Sequence, residues 1–113
     1  MVLLVKNKLE EITILCQKYR VKKLWIFGSA VIPEHFRPDS DLDFLYQFDD
    51  NGTYDPSFPY AANWSDMLTA LRDLFDREVQ LIAYGPFKNP WFRDSVEATK
   101  QLIYDQNTPK VAV

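Results

Sequence analysis

Two carboxylates one residue apart, Asp41 and Asp43, are the side chains of this 113-residue chain best spaced for chemistry. Around them Leu42, Phe44, Tyr46 and Phe48 recur with a period of two, which favours a strand over a helix. Alternate side chains of a strand share a face, so the two aspartates project together, roughly 6–7 Å apart at the backbone. Carboxylates so placed can share a hard divalent cation such as Mg2+, which takes oxygen ligands and leaves room for phosphate. Upstream, the apolar run Leu24-Trp25-Ile26-Phe27 ends in Gly28-Ser29, thirteen residues before Asp41. A Gly-Ser turn leaving a strand can offer backbone N–H groups and a hydroxyl to a phosphate tail. Alone, Asp-x-Asp reads as solvated surface acids in a chain that carries sixteen acidic residues. Joined to the Gly-Ser turn, it reads as a site for a metal-bound nucleoside triphosphate.

The elements that must hold these residues follow from periodicity and punctuation. Val5, Leu9, Ile12, Cys16 and Tyr19 form one apolar stripe, which predicts a helix over residues 4–19. Residues 23–27 read as a central strand, apolar on both faces. A half-turn of helix is expected at Ser29-Ala30-Val31, after which Pro33 and Pro38 interrupt regular structure. Residues 42–48 form the strand that carries the acids. Residues 49–63 read as an ordered surface loop, its aromatics Tyr54, Phe58 and Tyr60, with Trp64 beyond, covering an edge of the core or serving as contacts. A helix over 64–76 buries Met67, Leu68, Leu71, Leu74 and Phe75, with Asn63 or Ser65 as its cap. A third strand covers 78–82. Asn89-Pro90 then starts a last helix from Trp91 to about Tyr104, burying Phe92, Val96 and Ile103. Residues 107–113 read as a loose tail.

Composition bounds the class. At 113 residues, 47% hydrophobic and 15% aromatic, the chain fits one globular domain spanning residues 1–113. No apolar run approaches the roughly twenty residues a bilayer span needs. Met1-Val2-Leu3-Leu4-Val5-Lys6 is too short for a signal peptide, and the single cysteine, Cys16, can form no internal disulfide. A reducing cytoplasm is the expected compartment. Net charge is −3, spread unevenly: residues 1–23 hold six bases and two acids, residues 34–78 eleven acids and three bases. That acidic middle argues against unaided nucleic-acid binding and suits a cation site. His35, the one histidine, reads as a loop side chain and not as a catalyst.

Gly28-Ser29, a loop, then Ser40-Asp41-Leu42-Asp43 resembles the signature of the DNA polymerase beta-like nucleotidyltransferases, and the short length points to their minimal (MNT) branch. The resemblance runs on through Glu78-Val79-Gln80-Leu81-Ile82 and Lys88-Asn89-Pro90-Trp91-Phe92. It implies an α/β (α+β) fold: a small mixed sheet, its first two strands antiparallel, with helices packed against it. It also implies transfer of AMP from Mg2+-bound ATP to a hydroxyl, with Asp41 and Asp43 as metal ligands. Gly28, Ser29 and Ser40 would then bind nucleotide. Arg37, the only basic residue of its loop, is the candidate to touch phosphates, because the Arg-Gly pair usual after the Gly-Ser is absent. Family members carry a third carboxylate on the third strand, where this chain has Gln80. An amide keeps an oxygen acceptor but takes no proton, so weak activity or none is expected. Glu78, two residues earlier, is the candidate substitute. The family context implies an antitoxin that neutralises a helical HEPN-type toxin partner, by adenylylating a tyrosine or by binding. A small-molecule nucleotidyltransferase of the aminoglycoside type and an inactive nucleotide-binding scaffold are the alternatives. Acceptor, base preference and self-association stay open.

Overall fold

The computed structural model describes residues 1–108, in which four strands form one sheet of order β3-β2-β1-β4. Strand β1 (Val21–Phe27) runs antiparallel to β2 (Leu42–Phe48) and to β4 (Gln101–Asp105), whereas β2 and β3 (Val79–Ala83) are parallel. The sheet is mixed and its first two strands are antiparallel, as the resemblance implied. Helices α2 (Leu9–Lys18) and α3 (Tyr60–Phe75) cover one face, where Leu24, Ile26, Leu42, Phe44 and Leu81 join Ile12, Cys16, Met67 and Leu71. Helix α4 (Pro90–Thr99) covers the other, setting Val96 against Trp25, Phe27 and Leu45. Two-sided burial explains why β1 is apolar at every position from Leu24 to Phe27. Among the described residues no helix is long and apolar enough to cross a membrane.

The first helix is broken. A short α1 (Leu3–Lys6) precedes α2, with Asn7 and Lys8 between them, although the stripe Val5, Ile12 and Cys16 is fully buried. The chain start is pinned to the loop after Gly28: Val2 N–H donates to the Ala30 carbonyl and the terminal amine to the Val31 carbonyl. Arg20, in the left-handed region at φ 60°, then turns the chain from α2 into β1.

Helix α3 begins at Tyr60, four residues earlier than its apolar stripe predicts, and neither Asn63 nor Ser65 caps it. Tyr60 packs on Phe58, Phe48 and Tyr54, and its hydroxyl donates to Asp50 at 2.6 Å. These contacts anchor the first turn of the helix, which has no side-chain cap. Asn63 instead donates to the Tyr19 carbonyl at 3.0 Å, satisfying the end of α2. Phe58 is buried and Trp64 donates to the Leu81 carbonyl, so these aromatics cover core and sheet edge, while Tyr54 stays exposed.

The largest correction lies at the end of the chain. Helix α4 starts as expected, with the Asn89 side chain accepting from the Trp91 and Phe92 amides, but it stops at Thr99 and does not reach Tyr104. Residues Gln101–Asp105 form β4, pairing Leu24 with Tyr104 and Trp25 with Leu102. Ile103 falls seven residues after Val96, so helical spacing continues by accident through a segment whose Leu-Ile-Tyr run suits a strand. A strand here also pairs the backbone groups along the otherwise open edge of β1, which a longer α4 would not do. Of the tail residues 107–113, Asn107 and Thr108 turn back, Thr108 bridging to Asp105; residues 109–113 lie outside the described residues.

Candidate functional site

The Gly28 turn and the acidic strand meet because β1 and β2 are antiparallel neighbours. The last residue of β1, Phe27, pairs with Asp43, and Asp43 pairs across the parallel side with Gln80. Phe27, Asp43 and Gln80 thus form one row across the sheet, on the face that α4 partly covers. Gly28 then enters a tight 3-10 turn, Gly28–Ala30, at φ 74°. That backbone region favours glycine, and a Cβ at this place would stand 3.1 Å from Asp43 Oδ2. The absent side chain is the space that Asp43's carboxylate uses. Ser29 follows, half-buried, within the same turn.

Asp41 sits one residue before β2 and is exposed; Asp43 is half-buried. Burial, and then the charge of Asp41, push the Asp43 carboxyl up to about 6. Two acids held where one feels the other, one of them partly stripped of water, form a place that a cation relieves. Among the described residues no cluster of three or more His, Cys, Asp or Glu side chains gathers at one point. The donor set is therefore a pair of carboxylates with a neutral amide, Gln80, in register beside Asp43. Two carboxylate oxygens and open coordination positions suit Mg2+, which keeps waters and substrate oxygens, so the residues present fit that ion.

The remaining candidates divide. Ser40 lies next to Asp41, but its hydroxyl accepts from the Arg37 amide at 2.9 Å and its carbonyl from Arg77 at 2.8 Å. Arg37 itself is exposed on that loop, as is His35. Glu78 stands just before β3, exposed and paired with Arg72 of α3 at 2.5 Å, and its carbonyl accepts from the Leu42 amide. Sequence reasoning missed Thr99. The Gly28 N–H donates to Thr99 Oγ1 at 3.1 Å, while that hydroxyl donates to the Ser95 carbonyl at 2.8 Å. The end of α4 is thereby stitched to the glycine turn, and one amide expected to face phosphate is already engaged. No local signal links residues 71 positions apart.

The chain resembles known proteins over most of its length. The family described as Polymerase beta, Nucleotidyltransferase matches across residues 10–109. Three proteins of Methanocaldococcus jannaschii, each named as a candidate protein adenylyltransferase, are 31%, 35% and 33% identical over 91 residues, which span 80% of this chain and 83% of each relative. Among solved structures, a candidate minimal nucleotidyltransferase superposes with a TM-score of 0.63 at 23% identity, covering 86% of this chain and 90% of its own. A toxin–antitoxin crystal structure with AMP-PNP gives 0.60 at 16% identity, over 89% of this chain and 77% of the other. A crystal structure of the toxin–antitoxin MntA-HpeT gives 0.62 at 14% identity, over the same shares. At these identities the structural likeness is one of fold.

Proposed function

Since this chain belongs to the polymerase beta-type nucleotidyltransferase family, we propose that it binds Mg2+-ATP and acts as the antitoxin of a helical, HEPN-type toxin. The observation that carries the site is the Asp43 carboxylate resting against Gly28, where a Cβ would stand 3.1 Å from its oxygen. It sets the Gly28–Ala30 turn against the strand that carries the acids, which supports reading them as one site. The partner reading draws support from the toxin–antitoxin complexes that share the fold, one of them with AMP-PNP. The relatives named as candidate protein adenylyltransferases support a protein acceptor.

In the proposed reaction the oxygen of an acceptor hydroxyl attacks the α-phosphorus of ATP. The bond to the bridging oxygen breaks and pyrophosphate leaves, so AMP ends on the acceptor. Mg2+ held by Asp41 and Asp43 would offset charge on the phosphate oxygens and on the leaving group. The Gly28–Ala30 turn positions the triphosphate tail, with Ser29 as its hydroxyl. Gln80, beside Asp43, can orient the acceptor or a water through its amide, but it cannot take the proton. The acceptor's proton therefore passes to solvent water, and the acceptor must part with it readily. A phenol does so near pKa ~10, against ~15.7 for bulk water, which favours tyrosine over an aliphatic hydroxyl. Gln80 also shifts weight from turnover toward neutralisation by binding.

The test is co-expression with whichever helical protein a neighbouring reading frame encodes, followed by intact mass of the purified complex with and without ATP and Mg2+. Addition of one AMP to the partner by wild type, and none by Asp41→Ala, is the expected result. A stable complex with unchanged mass would leave the binding role alone, and no complex would remove the antitoxin reading.

A further inference from the structure

Asp41 lies outside the sheet ladder, in the last stretch of a loop that carries two prolines, so something other than strand pairing must fix it. Both of its neighbours are held, and by consecutive residues. The Arg77 guanidinium donates to the Ser40 carbonyl at 2.8 Å, and the Glu78 carbonyl accepts from the Leu42 amide at 3.1 Å. Helix α3 ends at Phe75 with Asp76 in the left-handed region at φ 48°, which reverses the chain and delivers Arg77 to the loop. Phe36, from the far side of that loop, packs against the guanidinium with its ring centre 4.9 Å from Cζ. Arg77 Nε is buried without a partner among the described residues.

We propose that Arg77 is a positioning residue, clamping the Ser40-Asp41 peptide so that the Asp41 carboxylate is presented to the same cation as Asp43. The inference rests on reading that pair as a metal site. Arg77 itself touches neither metal nor nucleotide; its planar fork, steadied by Phe36, fixes a backbone carbonyl one residue from the ligand.

The full-length chain is compared in four forms: wild type, Arg77→Ala, Asp41→Asn and the double variant. Each is titrated with Mn2+ in the presence of ATP, and binding is followed by loss of the free-ion paramagnetic resonance signal. Arg77→Ala is expected to weaken Mn2+ capture about 10- to 100-fold while thermal unfolding stays cooperative. In the Asp41→Asn background the same replacement is expected to change affinity by less than about twofold, because its effect passes through Asp41. Arg77→Lys, which keeps a charged donor but loses the planar fork stacked on Phe36, should recover only part of the loss. In the metal-free protein, Arg77→Ala should also speed amide hydrogen exchange at Leu42. Equal affinity in wild type and Arg77→Ala, or the same fold loss in both backgrounds, overturns the inference and leaves the site reading standing. A wild type that captures no Mn2+ with ATP removes the site reading, and this inference with it. Should Arg77→Ala fail to fold, Phe36→Leu, which strips the ring from the guanidinium, carries the same comparison.

Discussion

At the scale of single residues, the site is an electrostatic arrangement kept at some cost to the fold. Asp43 holds its proton up to about pH 6 in the folded chain, against an ordinary value of 3.8. Between those two values the unfolded chain is ionised while the folded one stays protonated, so folding stability falls as pH rises through that window. Discounted for the half of the group that water screens, the penalty above pH 6 is about 1 kcal/mol. Asp43→Asn should therefore stabilise the metal-free protein at pH 7, leave it little changed near pH 4, and abolish the response to Mg2+. Denaturant unfolding at the two pH values checks this; an equal effect at both would contradict it. Gly28→Ala strains a backbone at φ 74° and presses a methyl toward Asp43 Oδ2. A loss of about 1–2 kcal/mol is expected, together with weaker Mg2+-ATP binding, readable by thermal shift with and without ligand. Gln80→Asp restores a third carboxylate in register with Asp43. If catalysis is limited by the missing acid, AMP transfer should rise about 10²–10⁴-fold, measured as pyrophosphate release with the partner present; no change would place the limit elsewhere.

At the scale of elements, what was legible in the sequence was what is local. The acid pair and its period-two neighbours, the Gly-Ser turn and the two-sided β1 each announce themselves within a few residues, and the structure brings the turn and the acids together. The end of α4 could not be read this way, since Val96 and Ile103 keep helical spacing while the open edge of β1 draws residues 101–105 into a strand. The early start of α3 was hidden for a similar reason: it carries no side-chain cap of the kind sequence rules seek, and Tyr60 packs instead into an aromatic cluster. The Gly28–Thr99 hydrogen bond is another long-range fact, and it makes α4 part of the site's support. Thr99→Val keeps the shape and removes the acceptor, so it should cost about 1 kcal/mol and weaken nucleotide binding more than stability alone explains. Asn89→Ala, at the far end of the same helix, should cost a similar ~1 kcal/mol with nucleotide binding unchanged. Calorimetry on the two variants separates support of the site from support of the helix.

At the scale of the whole molecule, the sheet is packed on both faces, and the acids sit at its end on the side α4 only partly covers. The excess of acids over bases in residues 34–78 then reads as a field that favours cations near Asp43, whose carboxyl feels the charge of Asp41. The account's central claim is that Asp41, Asp43 and the Gly28 turn act as one receptor for a metal-bound triphosphate. Isothermal titration of ATP with Mg2+ into the wild type, and into Asp41→Ala and Asp43→Ala, tests it most directly. Saturable heat for the wild type, lost when EDTA removes the metal and at least about tenfold weaker in affinity in both variants, is the predicted result. An unchanged isotherm in either variant, or a wild type that gives no heat at millimolar ligand, would contradict it.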